Sequence, residues 1–184
     1  GRSMGDRGEP RRRARAAGAP IASAPVTSGA ASSPGEPAVS VEGLVIRYGE
    51  LTAVDGVSFT AQAGAVTTVL GPNGAGKTST VEHLEGYRPA AAGRARVLGL
   101  DPIADHRRLT SQVGVMLQDG GIPTAIRPAE LLRQYAGFFD RPLDPVQLLE
   151  RVRLGHRART PFRRLSGGEQ RRLSLALAII GRPI

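Results

Sequence analysis

The chain has no cysteine, no tryptophan, 4% aromatic residues and a single lysine, Lys77, among its 25 Lys and Arg residues. Without cysteine there is no disulfide, no thiolate nucleophile and no thiolate-ligated metal. The three histidines, His83, His106 and His156, are scattered without ligand spacing, so any metal would arrive with a bound ligand. So few aromatic rings leave little on which nucleic-acid bases could stack. Long apolar runs are also missing. The longest, Leu175 to Ile180, falls far short of the roughly 20 residues a helix needs to span a bilayer.

What is abundant is arginine, and the formal net charge is +9. A charge of that sign can serve a nucleic-acid partner. Here six arginines lie in the first 15 residues, and the others are dispersed among 13 of the 16 acids, so no focused basic patch is expected. With 40% hydrophobic residues in 184, one core of ordinary size can be buried.

Composition divides the chain near residue 38. Residues 1–38 are rich in Ala, Gly, Pro, Ser and Arg and contain no Leu, Phe, Tyr or Trp. Such a segment buries too little to offset its ordering entropy, so a disordered tail is expected. Arg11-Arg12-Arg13 is not followed by the apolar stretch of an export signal. From Val39 the pattern predicts strands at Val39–Ile46, Val57–Ala61, Ala65–Leu70, Val97–Leu98 and Val113–Leu117. A loop-to-helix crossover between strands points to the α/β class. Within 123–180 the periodicity becomes helical. Pro128 opens a helix with Leu131, Leu132, Tyr135, Phe138 and Phe139 on one face. Asp144-Pro145 opens another with Leu148, Leu149 and Val152 inward. A helical subdomain inserted in the 39–184 domain is expected.

The lone lysine lies in Gly71-Pro72-Asn73-Gly74-Ala75-Gly76-Lys77-Thr78, the pattern of a phosphate-binding loop. Glycines allow successive backbone N–H groups to turn towards one anion. The apolar strand before it and a helix from Lys77 to Leu84 supply a bare helix N-terminus, which favours phosphate. A compact ammonium reaches the outer phosphates where a planar guanidinium would not fit, and Thr78 offers a hydroxyl to Mg²⁺. A chain this rich in arginine therefore keeps a lysine at one place.

A second element is Leu165-Ser166-Gly167-Gly168-Glu169-Gln170, before a helix with Leu173, Ala176, Leu177 and Ile180 on one face. Ser166 and Glu169 have the spacing of an ordinary capping box. Two glycines in the first turn do not suit a purely structural cap, since each is worse than alanine by about 0.8–1 kcal/mol in a helix interior. They leave the helix start open to close approach by phosphate.

With the loop at Gly71–Thr78 and Ser166 lying 89 residues beyond Lys77, the chain resembles, from Val39 to Ile184, the nucleotide-binding domain of ATP-binding cassette transporters. Leu165 to Gln170 matches that family's signature motif. From Leu117-Gln118-Asp119-Gly120-Gly121 onward it looks like the ATPase subunits of bacterial drug and multidrug exporters. The resemblance implies a P-loop NTPase with an antiparallel β subdomain, an α/β core and an inserted helical subdomain, binding ATP and Mg²⁺. It implies that Tyr48 stacks on adenine, that Ser79 contacts an inner phosphate, and that Gln118 reaches Mg²⁺ and the attacking water. It further implies that Ser166, Gly167, Gly168 and Glu169 meet the ATP of a second copy in a head-to-tail homodimer or heterodimer. A transmembrane permease subunit at the inner face of the cell membrane would be the other partner, with no nucleic acid expected.

The sequence departs from the family after Gly181-Arg182-Pro183-Ile184, where an apolar strand ending in Asp-Glu is expected. The aspartate for Mg²⁺ and the glutamate that polarises water are not within the 184 residues; Glu82 and Glu85 belong to the loop helix, and Asp119 lies beyond Gln118. The chain is thus expected to be C-terminally truncated, retaining Lys77 and Gln118 as catalytic residues and able to bind ATP, but inactive in hydrolysis on its own. It is also expected to be poorly stable, with strand edges left unpaired. Two other readings stand beside export: a soluble cassette ATPase acting on nucleic acid or ribosomes, supported only by charge, and a non-hydrolysing fragment.

Overall fold

The computed structural model describes residues 22–26, 36–116 and 121–184. Strands β2 (Val39–Tyr48) and β3 (Leu51–Ala61) form a hairpin. Gly49, with φ +58°, allows its tight turn. Strand β5 (Ala92–Val97) pairs antiparallel with the other side of β2, giving a three-stranded sheet in the order β3-β2-β5. Val41, Leu44, Ile46, Val54 and Ala95 pack as its core, joined by Leu84 from the loop helix α1 (Lys77–Leu84).

Sequence periodicity placed a strand only at Val97–Leu98, yet β5 begins at Ala92 and Leu98 has a turn conformation with φ +52°. Arg94 and Arg96 alternate with the buried Ala95 and Val97, so an arginine-rich outer face conceals a half-buried strand.

The strand that feeds the loop, β4 (Val66–Leu70), pairs antiparallel with β1 (Ala22–Val26), from Ala22 opposite Leu70 to Val26 opposite Val66. The strand Ala22–Val26 lies within the 1–38 segment that composition marks as a disordered tail. The backbone of β4 has hydrogen-bonding groups to satisfy, and a short strand supplies them whatever its burial.

The expected strand at Val113–Leu117 is not formed at Val113–Met116, and Leu117 lies outside the described residues. A strand exists by its ladder. Here Val113 N–H donates instead to Leu109 O of the short helix α2 (His106–Leu109), and the neighbouring Gln112 O accepts from Ile184 N.

The helical unit contains α3 (Pro128–Ala136), α4 (Pro145–Arg151) and α5 (Gly167–Ile179). Pro128 and Pro145 each stand at the helix start, and Asp144 caps α4 by accepting from Val146 N and Gln147 N. Leu131, Leu132, Leu148, Leu149, Leu173, Ala176 and Ile180 are buried together. Phe138 departs from the expected apolar face: α3 ends at Ala136, and Phe138 is 79% exposed while Phe139 packs against the core. No described helix is long and apolar enough to cross a membrane.

Candidate functional site

The loop between β4 and α1 is open on the side where an anion would sit. Gly71, Pro72, Asn73 and Gly74 are exposed, and Ala75 N–H closes a tight turn onto Pro72 O at 3.2 Å. Gly74 and Gly76 have φ of +82° and +85°, a region that L side chains rarely adopt. At Gly76 a Cβ would also lie 2.3 Å from Ala53 O and 2.8 Å from Val54 Cγ2, so the loop is pressed against β3 where only glycine fits. Gly76 caps α1 without a side-chain hydrogen bond, leaving the first amides of the helix unclaimed by a cap.

Lys77 Nζ donates to Gly71 O at 2.8 Å and to Pro72 O at 2.7 Å. The ammonium is held over the loop's mouth by two neutral carbonyls, with one N–H still to place. The three hydroxyls that follow have separate fates. Thr80, fully buried, donates to Gly76 O at 2.9 Å; Ser79 Oγ shares a hydrogen bond of 2.9 Å with Tyr48 Oη; Thr78 is exposed, with no hydroxyl hydrogen bond among the described residues. A triphosphate with Mg²⁺ fits this set: amides and an ammonium for the anion, and the Thr78 hydroxyl as an oxygen donor for the cation.

Tyr48 arrives beside the loop because it ends β2, and it remains 40% exposed. The Arg88 guanidinium lies over its ring, 4.3 Å from the centroid, and Arg88 Nε donates to Glu82 Oε2 at 2.8 Å. Sequence reasoning did not find Arg88 or Glu82 as neighbours of Tyr48. The i,i+3 relation of Ser79 and Glu82 on α1 was the available signal, but the contact needs the fold to bring β2 alongside.

The second element forms the capping box in full. Ser166 Oγ accepts from Glu169 N at 3.3 Å, and Glu169 Oε2 accepts from Ser166 N at 2.7 Å. Arg157 Nε donates to Glu169 Oε1 at 2.9 Å, another contact that the sequence did not reveal. Glu169 is buried and its carboxylate faces inward, while Ser166, Gly167 and Gly168 are exposed. A Cβ at Gly167 would meet nothing within 4 Å, and one at Gly168 only Arg172 Nη1 at 3.7 Å. Thus nothing within the described chain crowds these two positions. Among the described residues no hydrogen bond links this turn to the Lys77 loop. Gln118 lies outside the described residues.

The Ser166 amide, with help from Arg157, holds the Glu169 carboxyl below its ordinary value of 4.5 against the opposing effect of desolvation. A depressed folded-state value means that stabilisation is present above the unfolded value and is lost as pH falls through the folded one. Glu169→Gln is therefore expected to lower the thermal midpoint near neutral pH. The difference from wild type should vanish as pH drops well below 4.5, read by calorimetry across a pH series. A difference that stays constant with pH would contradict the assigned ionised cap.

Solved structures first define the class. One similar structure is cbiO1 of Clostridium perfringens, described as part of the ABC transporter complex cbiONQ, with TM-score 0.68 and 22% identity, covering 81% of this chain and 63% of that one. A nucleotide-free ATP-binding cassette from an ABC transporter matches with TM-score 0.63 and 20% identity over 80% of this chain and 66% of that one. These likenesses give the fold, that of a P-loop NTPase of the cassette type. The family model described as ABC transporter matches residues 54–184, and the chain belongs to that family. Among curated relatives, the Nod factor export ATP-binding protein I of Ralstonia nicotianae is 40% identical over 153 residues, covering 80% of this chain and 47% of the relative. A daunorubicin resistance ATP-binding protein of Streptomyces coeruleorubidus is 33% identical over 151 residues, covering 79% and 48%. The chain spans about half the length of these relatives.

Proposed function

We propose that this chain is the ATP-binding part of an export transporter and that its two glycine-rich elements are complementary halves of a composite ATP site. One carrying observation is the pairing of an open phosphate loop at Lys77 with an uncrowded glycine turn at Ser166, no hydrogen bond linking the two among the described residues. In one copy the loop holds the triphosphate: backbone amides of Gly74 to Thr78 face the phosphates, Lys77 the outer ones, Ser79 an inner one, and Tyr48 the adenine. Asn73, Gly71, Pro72 and Ala75 shape the loop.

Thr78, with Gln118 by family resemblance, would hold Mg²⁺, which would supply positive charge to offset that of the phosphates in phosphoryl transfer. Ser166, Gly167 and Gly168 of a second copy would close over the same nucleotide, in a homodimer or heterodimer. Glu169 contributes through the turn it fixes, since its carboxylate is already engaged by Ser166 and Arg157. Closure would be passed to a transmembrane permease at the inner face of the membrane. Export as the direction, with a drug-like cargo, follows the names of the relatives above.

Hydrolysis requires a water-orienting carboxylate beside the phosphates. Glu82 is committed to Arg88, 2.8 Å away, and is not offered for that role. The dimer reading has a direct test. Gly168→Val is expected to leave ATP affinity of the monomer within about twofold while abolishing ATP-dependent dimerisation, because the added side chain stands where the partner's phosphate would lie. Sedimentation velocity with and without ATP and Mg²⁺ reads the outcome; dimerisation equal to wild type would refute the composite site.

A further inference from the structure

The Tyr48 ring is fixed from two directions by one helix and the turn after it. Its hydroxyl shares a hydrogen bond with Ser79 in the first turn of α1, and Glu82, one turn further along α1, anchors Arg88 over the ring. Arg88 is itself partly withdrawn from water, with its side chain 32% exposed, and its carbonyl meets His83 Nδ1 at 2.6 Å. A tyrosine at a strand end would ordinarily be free to rotate about χ1. Here the hydroxyl edge and one face are both engaged, while Tyr48 as a whole remains 40% exposed.

We infer that Arg88 is a positioning residue for the nucleotide base: the Glu82–Arg88 pair backs one face of Tyr48 so that the opposite face is presented, already oriented, to a purine ring. Resting on the ATP-binding reading, this adds a specificity device to it. Two physical effects favour base binding. The ring loses little rotamer freedom when the base arrives, because that freedom has been spent in folding. The guanidinium is also held against the ring's electron-rich face, where a cation is attracted by the quadrupole, and Glu82 prevents it from swinging into the vacant space beyond. The role is confined to the base. Arg88 makes no hydrogen bond to the loop among the described residues, so the phosphate half of the site is independent of it.

The test compares ATP with inorganic tripolyphosphate, both with Mg²⁺, by calorimetric titration into the full chain and its Arg88→Ala and Arg88→Lys variants. Arg88→Ala is expected to weaken ATP by about three- to tenfold, the scale of one partly buried cation–π contact, and to leave tripolyphosphate unchanged. Arg88→Lys is expected to recover part of the ATP affinity by restoring a cation over the ring. A merely structural role would weaken both ligands in parallel, and that result overturns the inference. So does unchanged ATP affinity, or tighter binding, which would mean that Arg88 occupies the place of the base. If the wild-type chain binds neither ligand, the ATP-binding reading itself fails, an outcome visible before any variant is made.

Discussion

Lys77→Ala is expected to abolish measurable ATP binding, a loss of at least about 100-fold, while the chain keeps its fold. Each charge-assisted hydrogen bond contributes about 1.5–3 kcal/mol, and an affinity falls tenfold for every 1.4 kcal/mol. The ammonium also offsets phosphate charge at a loop whose other donors are neutral amides, so its removal leaves the outer phosphates poorly neutralised. The fold is spared because, among the described residues, Nζ bonds only to Gly71 O and Pro72 O, both in the exposed loop, and to no core residue. Lys77→Arg should restore little. The wide guanidinium cannot occupy the position from which Nζ reaches two carbonyls 2.7–2.8 Å away, although the charge is kept. Titration calorimetry with ATP and Mg²⁺, together with circular dichroism of each variant, reads both halves of this expectation. Undiminished affinity in Lys77→Ala would remove the loop from the account.

Gly76→Ala is expected to act by a different route, through the backbone, and to lower stability and binding together. At φ +85° a Cβ costs about 1–2 kcal/mol in conformation alone. The methyl would also stand 2.3 Å from Ala53 O, a backbone atom of β3 that cannot rotate away, and 2.8 Å from Val54, which is only 2% exposed. The start of α1 must then lift from the sheet. A combined loss of about 3 kcal/mol is typical of strain at a special backbone position and corresponds to roughly 10 °C of thermal midpoint in a domain of this size. Because Lys77, Thr78 and Ser79 ride on that helix start, nucleotide affinity falls with it. A midpoint within 2 °C of wild type on scanning calorimetry would show that the loop is not seated against β3 as described.

The glycine-rich loop before α1 was legible because it is local. Glycines, lysine and hydroxyl at fixed spacing determine a loop, and α1 runs over Lys77–Leu84 as that spacing implies. The capping box at Ser166 and Glu169 was legible for the same reason, since three residues define it. Elements that depend on distant partners were harder. Val113–Met116 has strand-forming side chains, yet without a ladder the Val113 amide turns to Leu109 O, while the neighbouring Gln112 carbonyl accepts from Ile184 N. Strand β5 was concealed by Arg94 and Arg96 on its open face, and β1 by a composition that suggests no core contact at all. The contacts that fix Tyr48 and Glu169 cross 40 residues, from Tyr48 to Arg88, and 12, from Arg157 to Glu169. Nothing in a one-dimensional pattern distinguishes these two arginines from the others, because only folding selects which guanidinium meets which partner.

The central claim is that ATP is held by the Lys77 loop of one chain and covered by the Ser166 turn of another. Amide hydrogen exchange, followed with and without ATP and Mg²⁺ across a range of chain concentrations, tests both parts at once. The account predicts protection of residues 71–79 at every concentration. It predicts protection of 166–168 only as concentration rises and copies associate. Exchange at 71–79 that is indifferent to ATP, at nucleotide concentrations up to the millimolar range in which weak sites fill, would contradict it.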